Sequence, residues 1–360
     1  MKSRPAPAAQ PPMRRAPLRP AARPACGDRP TSRAAGRRPG AHNRRDGEAM
    51  KRIREWFEKP AATLLLCGLA LALPSGALAA GGARSVIDYI DVSKTPQFSV
   101  YMDYLDAAGR PITKLDAKDL TLLLDGESYS DEIGITPFKQ SEEAVAFVIL
   151  VNNYKAYFSI FDEQKKALGE FVRGMRAKDR AAVLYYSDKV TPQVDFTSDK
   201  EELIQAINSV PAPEKPQEMF IDAVVAALDK FPEADPSFPR RRGVVMLSDA
   251  LDQGLADQNY LQGRIKKDLA PKAKALGVKF YGLGYSVESR EGFKLMGGLA
   301  KHLGGSFDDV KESEINRMGD KFVRILNLVY GQYIINFNTS DLDSEVAHTL
   351  QVNINYQGTL

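Results

Sequence analysis

Two long apolar runs, and the regular alternation of strand-like with helix-like segments around them, predict an α/β fold on a doubly wound, mostly parallel sheet. The first run begins Ala144 to Ala156 (AVAFVILVNNYKA) and stops abruptly at Asn152-Asn153-Tyr154-Lys155-Ala156. The second, Gly243 to Ser248 (GVVMLS), stops at Asp249 and is followed by Ala250-Leu251-Asp252. Runs rich in Val and Ile suit strands buried on both faces, because a sheet covered by helices on both sides has no wet face to make polar. The polar residues that end them then lie at the carboxyl edge of the sheet, where open α/β folds bind ligands.

The elements follow in order. Asp162 to Met175 carries Leu168, Phe171, Val172 and Met175 on one helical stripe. Arg180 to Tyr186 reads as a buried strand, with Val190 to Phe196 pairing beside it. Ser198 as N-cap and Glu201 three positions on form a capping box that opens a helix to Val210. Pro211 to Pro216 is a loop, and Phe220 to Phe231 is helical with Ile221, Val224, Val225 and Leu228 on one face. After the strand Gly243–Ser248 come a helix around Tyr260 to Leu276, a strand Val278 to Leu283 and a helix Phe293 to Leu303. Gly304-Gly305-Ser306-Phe307 reads as a helix-ending turn that leads into a helix from Glu312 to Val329. Strands alternating with helices in this way require a parallel sheet with crossovers.

On either side of 144–329 the hydrophobic period falls to two. Residues 85–140 form a β-module: Gln97 to Leu105 alternates, and Leu120 to Leu124 ends in Asp125-Gly126, a hairpin-turn dipeptide. Gln332 to Asn338 and His348 to Tyr356 supply two strands, within 330–360, that rejoin this flanking β-sandwich-like module.

Charge and composition split the chain again. Residues 1–79 contain 16 Lys/Arg and 5 Asp/Glu, whereas 80–360 contain 33 and 41. The mildly acidic body offers no electrostatic footprint for nucleic acid. Residues 1–49 are rich in Arg, Ala and Pro, a composition that stays disordered, and they read as a mis-called start. From Met50 a basic segment, an apolar stretch Ala61 to Leu73 and the A-x-A site Ala77-Leu78-Ala79 make a signal peptide over 50–79. The apolar part, about 13 residues, is short of a bilayer span. The expected location is therefore the periplasm or the exterior, with no membrane span after cleavage. Cys26 and Cys67 both precede Ala79, so the mature chain holds without disulfides.

The segment Val100 to Glu127, the domain from Ala144 to Val329, and the strands Tyr330 to Tyr356 together resemble exported bacterial proteins built on a von Willebrand factor type A domain. That resemblance implies a protein-interaction module and a Mg²⁺ or Mn²⁺ adhesion site displayed by Asp-x-Ser-x-Ser, a Thr and an Asp. On this sequence those positions fall on Asn152, Tyr154, Ala156, Glu218 and Asp249, of which Asp249 alone keeps the family's residue type. Ala156 offers no ligand and a phenol replaces a small hydroxyl, so the expectation is a lost site and no cofactor. Asp249 then caps the next segment or bonds loop amides. The alternative is a rearranged Mg²⁺ or Mn²⁺ site of Asn152, Glu218 and Asp249, with Asp252 beside it, serving a metal-dependent adhesin.

Catalysis has little to stand on. His302 and His348 have no nucleophile nearby in sequence, no G-x-S-x-G elbow occurs, and the Gly297-Gly298 and Gly304-Gly305 pairs are not phosphate loops. Tyr154, Tyr157 and Asp252 beyond the first two edges make a candidate partner surface, since a phenol is apolar on its face and polar at its tip. The same tyrosines are equally read as cover for the sheet edge. The expected function is non-catalytic binding of a protein of the cell envelope or exterior, with a structural role in an envelope complex as a further alternative.

Overall fold

The computed structural model describes residues 83–129, 131–233, 235–250, 257–286, 290–339 and 346–355. The segments 1–49 and 50–79, and Asp252, lie outside the described residues. In chain order the first strands are β1 (Arg84–Lys94), β2 (Gln97–Leu105), β3 (Leu120–Leu124), β4 (Glu127–Ser128) and β5 (Gly134–Pro137). The α/β part follows with β6 (Val145–Asn152), α1 (Phe161–Gly174), β7 (Arg180–Tyr186), β8 (Val190–Thr197), α2 (Lys200–Asn208) and α3 (Phe220–Asp229). It continues with β9 (Arg241–Ser248), α4 (Gln258–Arg264), α5 (Ala270–Leu276), β10 (Val278–Gly284), α6 (Phe293–Leu303), β11 (Gly305–Asp309) and α7 (Met318–Tyr330). β12 (Tyr333–Asn338) and β13 (Leu350–Ile354) close the described chain.

Six strands form the central sheet in the order β11-β10-β9-β6-β7-β8, parallel throughout except for the antiparallel edge pair β7–β8. The fold is thus mixed α/β with a mostly parallel sheet, as the apolar runs predict. All eight residues of β6 are buried, and the reason lies in the alternation of its side chains. Val145, Phe147, Ile149 and Val151 pack with Leu168, Phe171 and Val172 of α1 and Phe322 and Leu326 of α7. Ala146, Val148 and Leu150 pack instead with Phe220, Val224 and Leu228 of α3 and Leu295 and Leu299 of α6.

Two antiparallel sheets accompany the central one among the described residues, β1-β2-β12-β5 and β13-β3-β4. A third core between them joins Val100, Met102, Leu120, Leu122, Tyr333, Ile335 and Phe337. The β3–β4 turn has positive φ at both central residues, 51° at Asp125 and 87° at Gly126, the twist a two-residue hairpin needs. Asp125 also holds the incoming last strand, accepting from Thr349 N at 2.7 Å and meeting His348 Nδ1 at 2.7 Å.

Four details differ from the sequence reading. Gly305–Asp309 is a fifth parallel strand rather than part of a turn, paired with β10 from Phe280↔Gly305 to Gly284↔Asp309. A Cβ on Gly305 would stand 2.1 Å from the carbonyl oxygen of Phe280, and its φ is +103°, so the residue that looked like turn chemistry is what permits the pairing. The N-cap of α2 is Asp199, not Ser198; its carboxylate accepts from Glu201 N and Glu202 N, and a charged acceptor suits a helix N-terminus better than a hydroxyl. A π-helical turn, Ile265–Leu269, separates α4 from α5. The last helix starts as a 3₁₀ turn, Glu312–Arg317, before α7.

An acidic pair sits where β1 and β2 meet the central sheet. Lys279 Nζ pairs with Asp88 and lies 3.5 Å from Asp103 Oδ2, Gln332 donates to Asp88, and Arg241 Nη2 is 3.9 Å from Asp88. Burial, helped by the like charge of Asp88 and opposed by Lys279, pushes the Asp103 carboxyl up to about 6. A raised carboxyl is held neutral by the fold, so its contribution is complete below about 3.8, the ordinary value, and is lost as pH rises through about 6. The shift bounds this loss at about 3 kcal/mol. Asp103→Asn is therefore expected to raise the melting temperature at pH 7 by a few degrees and to match the wild type at pH 4. A variant less stable than wild type at pH 7, in thermal scans from pH 4 to 8, would overturn this account of the pair.

Candidate functional site at the sheet edge

The site begins with three polar side chains that end three neighbouring apolar strands. Asn152 of β6 is register partner to Tyr186 of β7, and Ser248 of β9 lies two residues beyond the Leu150↔Met246 pair. Side chains at one level of a parallel sheet point to the same face, so these three form a row directed at α3. Glu218, two residues ahead of Phe220, meets that row from the other side. Its Oε1 accepts from Asn152 Nδ2 at 2.8 Å, Tyr186 Oη at 3.0 Å and Ser248 Oγ at 2.6 Å.

Every group in this constellation is buried: Asn152, Glu218, Tyr186 and Ser248 at 0% exposure and Asp249 at 3%. Burial above all, then the side-chain hydrogen bond and negative charge of Asp249, drives the Glu218 carboxyl well above the usual glutamate range. Glu218 Oε2 has no donor among its neighbours. A buried glutamate beside another negative charge is held in its protonated form. The Tyr186 phenol is likewise pushed up, by burial first and then by Glu218.

The backbone around the row is tightly set. Asn152 Oδ1 accepts from Tyr154 N at 2.9 Å, which fixes the amide with its NH₂ toward Glu218. On the opposite face Gln164 of α1 donates from Nε2 to Asn152 O at 2.8 Å. Ala250 has φ of 54°, a sparsely populated conformation for a residue with a Cβ, and its N–H is bonded by Ser248 Oγ at 2.8 Å. Gly292 lies so close that a Cβ there would be 1.9 Å from Asp249 O.

Asn152, Glu218 and Asp249 are therefore brought together. The donor set does not suit a hard divalent cation, which takes about six oxygens. Oε1 of Glu218 is surrounded by hydrogens, Asn152 turns its NH₂ inward, and Ala156 carries no oxygen. Among the described residues no third His, Cys, Asp or Glu joins the two carboxyls.

Tyr154 and Tyr157 correct the partner-surface expectation. They are 7% and 2% exposed, and Tyr157 Oη donates to Tyr285 O at 2.6 Å. Both rings belong to the core against α1, because the chain after Asn153 turns down into a 3₁₀ segment, Lys155–Ile160, instead of rising off the edge. Phe158, in the same segment, is the exposed ring at 68%. Sequence reasoning missed Ser248, Gln164 and the donor role of Tyr186. The signal was available in part: a serine and a tyrosine each end a run of apolar residues at the level where Asn152 ends its own.

Residues 156–315 match the family model of the von Willebrand factor type A domain. The matched stretch begins at Ala156, beyond Asn152 and Tyr154. No curated protein matches the chain. Among solved structures, BatB from Bacteroides thetaiotaomicron is 15% identical with a TM-score of 0.37, covering 51% of this chain and 98% of its own. The vWF domain of the type V pili tip protein Mfa5 from Porphyromonas gingivalis is 12% identical with a TM-score of 0.38, covering 52% and 96%. A von Willebrand factor type A structure from Catenulispora acidiphila is 12% identical with a TM-score of 0.40, covering 65% and 45%. The strand order of the central sheet, rather than these distant likenesses, establishes the fold.

Proposed function

We propose that this chain, whose residues 156–315 match the family model of the von Willebrand factor type A domain, is an exported, non-catalytic protein-interaction module whose sheet-edge site works without a metal ion. One observation carries the reading. The position where the family displays an ion is filled by a hydrogen-bonded unit of the chain's own side chains, with three donors on one Glu218 oxygen. A partner is then held by the shape of the surface around this closed edge, not by a carboxylate completing a coordination shell. Export is supported by the basic start at Met50, the apolar stretch and the Ala77-Leu78-Ala79 site. Among the described residues no helix is long and apolar enough to cross a membrane.

Calorimetric titration of the protein with Mg²⁺ and with Mn²⁺ tests the central point. The expected result is no saturable heat at micromolar metal, and an unchanged binding isotherm for any envelope partner when chelator is added. Micromolar binding that Asp249→Ala abolishes would replace this reading with that of a metal-dependent adhesin.

A further inference from the structure

Charge is divided unevenly over the body of the chain. Residues 80–360 hold 33 Lys/Arg against 41 Asp/Glu, yet residues 258–303 alone hold nine against three. This basic stretch comprises α4, the π turn, α5, β10 and α6. Its arginines and Lys272 are neutralised locally. Arg264 lies 3.7 Å from Asp222 and from Asp268, Lys272 pairs with Asp229, and Arg290 is 2.9 Å from Asp309. Lys266, Lys267, Lys274, Lys294 and Lys301 are exposed and enter no ion pair among the described residues.

Lys266 and Lys267 lie in the π turn and Lys274 in α5, which continue the chain from α4, while Lys294 and Lys301 lie on α6, which touches α4. Gln262 of α4 donates to Lys294 O of α6 at 3.4 Å, and a Cβ on Gly298 would stand 2.9 Å from Gln262 Oε1. Glycine at that position lets the helices lie close together. Lys294 and Lys301 flank Gly298 on α6, and Lys266 follows Gln262 by one turn, so lysines of both helices border one seam. Leu261, Ile265, Leu269 and Ala273 take the inward face, which leaves Lys267 and Lys274 outward. The rod from Gln258 to Leu276 extends about 28 Å along the surface and α6, of 11 residues, about 16 Å. Tyr260, 53% exposed, stands at the start of α4.

We propose that this lysine face docks the protein on the anionic surface of a lipid bilayer. The charges left unneutralised are all ammonium groups, compact point charges that suit a diffuse anionic plane, whereas recognition of a particular acidic side chain favours the planar guanidinium fork. An exposed tyrosine at the rim is the residue type that settles at a headgroup layer. The rest of residues 80–360, with 24 Lys/Arg against 38 Asp/Glu, is repelled by the same membrane, so attraction and repulsion together orient the molecule with α4–α6 downward.

Vesicle flotation of the full chain tests the assignment, using phosphatidylglycerol–phosphatidylcholine vesicles against phosphatidylcholine alone. The basic amino-terminal 79 residues also attract anionic lipid, so two charge-matched variants are compared. One replaces Lys266, Lys267, Lys274, Lys294 and Lys301 by Gln; the other replaces the exposed Arg110, Lys118, Lys215, Arg317 and Arg324 by Gln. Each lysine near an anionic surface strengthens binding several-fold, so the first variant is expected to bind at least about 30-fold more weakly. The second is expected to stay within about threefold, and 0.5 M salt to remove the difference. Equal loss in both variants, or no loss in either, overturns the proposal. So does binding of poly-glutamate in preference to vesicles, which would make the face a site for an acidic protein. Circular dichroism confirms that both variants are folded before flotation.

Discussion

Glu218→Ala is expected to lower the unfolding free energy by about 4 kcal/mol, and Glu218→Gln to change it by less than about 1 kcal/mol. The alanine variant leaves Asn152 Nδ2, Tyr186 Oη and Ser248 Oγ without their common acceptor in a site with no exposure to water. Each unsatisfied buried donor costs about 1–3 kcal/mol, partly relieved if water enters the space. Glutamine keeps an oxygen for the same three donors and presents an N–H to Asp249, where the wild type needs a proton. Urea unfolding at pH 7 separates the two variants. If both are equally damaging, the negative charge of Glu218 matters more than its hydrogen bonds, and the reading of a self-satisfied edge fails. The contrast also bears on function, because Glu218→Gln preserves the surface a partner meets while removing a carboxylate that a cation would use.

Asp179→Ala is the second large effect, expected at about 4 kcal/mol, with Asp179→Asn about half of that. Asp179 is 1% exposed and anchors the start of the central strand, accepting from Val145 N at 2.8 Å. It also accepts from Tyr330 Oη at 2.5 Å and from Arg176 Nη2 at 2.9 Å. The Arg176 guanidinium lies between two rings, 4.7 Å from the Phe138 centroid and 4.8 Å from that of Tyr330, and donates to Phe138 O and Glu143 O. Removing the carboxylate strands a mostly buried cation, a phenol and a backbone N–H together. Because Phe138 precedes β6 while Tyr330 ends α7, the damage is expected to spread from the β6 start to the last helix. Hydrogen exchange at Val145 and along α7 should rise in step with the loss of stability. A cost below about 1 kcal/mol would mean that packing of Phe138 and Tyr330, not the ion pair, holds this corner.

How far the sequence could be read depended on the kind of interaction involved. The strand β6 was legible because burial on both faces demands an unbroken apolar run, and that demand is local to the residues themselves. The stripes of α1, α3 and α6 were legible for the same reason, since one apolar face per helix is written at fixed spacing. β11 was not. Gly304-Gly305-Ser306-Phe307 has turn composition, and the strand exists because Gly305 lets its backbone come against Phe280 of β10, 25 residues earlier. Tyr154 and Tyr157 were misjudged as surface for a related reason. Amphipathic rings suit an interface and a core equally, and only the path of the chain after Asn153 directs them inward.

The candidate site shows the same division most sharply. The residue types at Asn152, Tyr154 and Ala156 are a property of the sequence alone, because a side chain without an oxygen lacks it in any fold. Which groups meet at the sheet edge was decided by tertiary structure. Glu218 reaches Asn152, Tyr186 and Ser248 across separations of 66, 32 and 30 residues, and those meetings depend on strand register and on where α3 begins. The doubly wound scaffold could be read from the chain alone, since periodicity and residue chemistry are local. Only the folded chain decided that the edge is closed by its own hydrogen bonds, since long-range contacts leave no period to read.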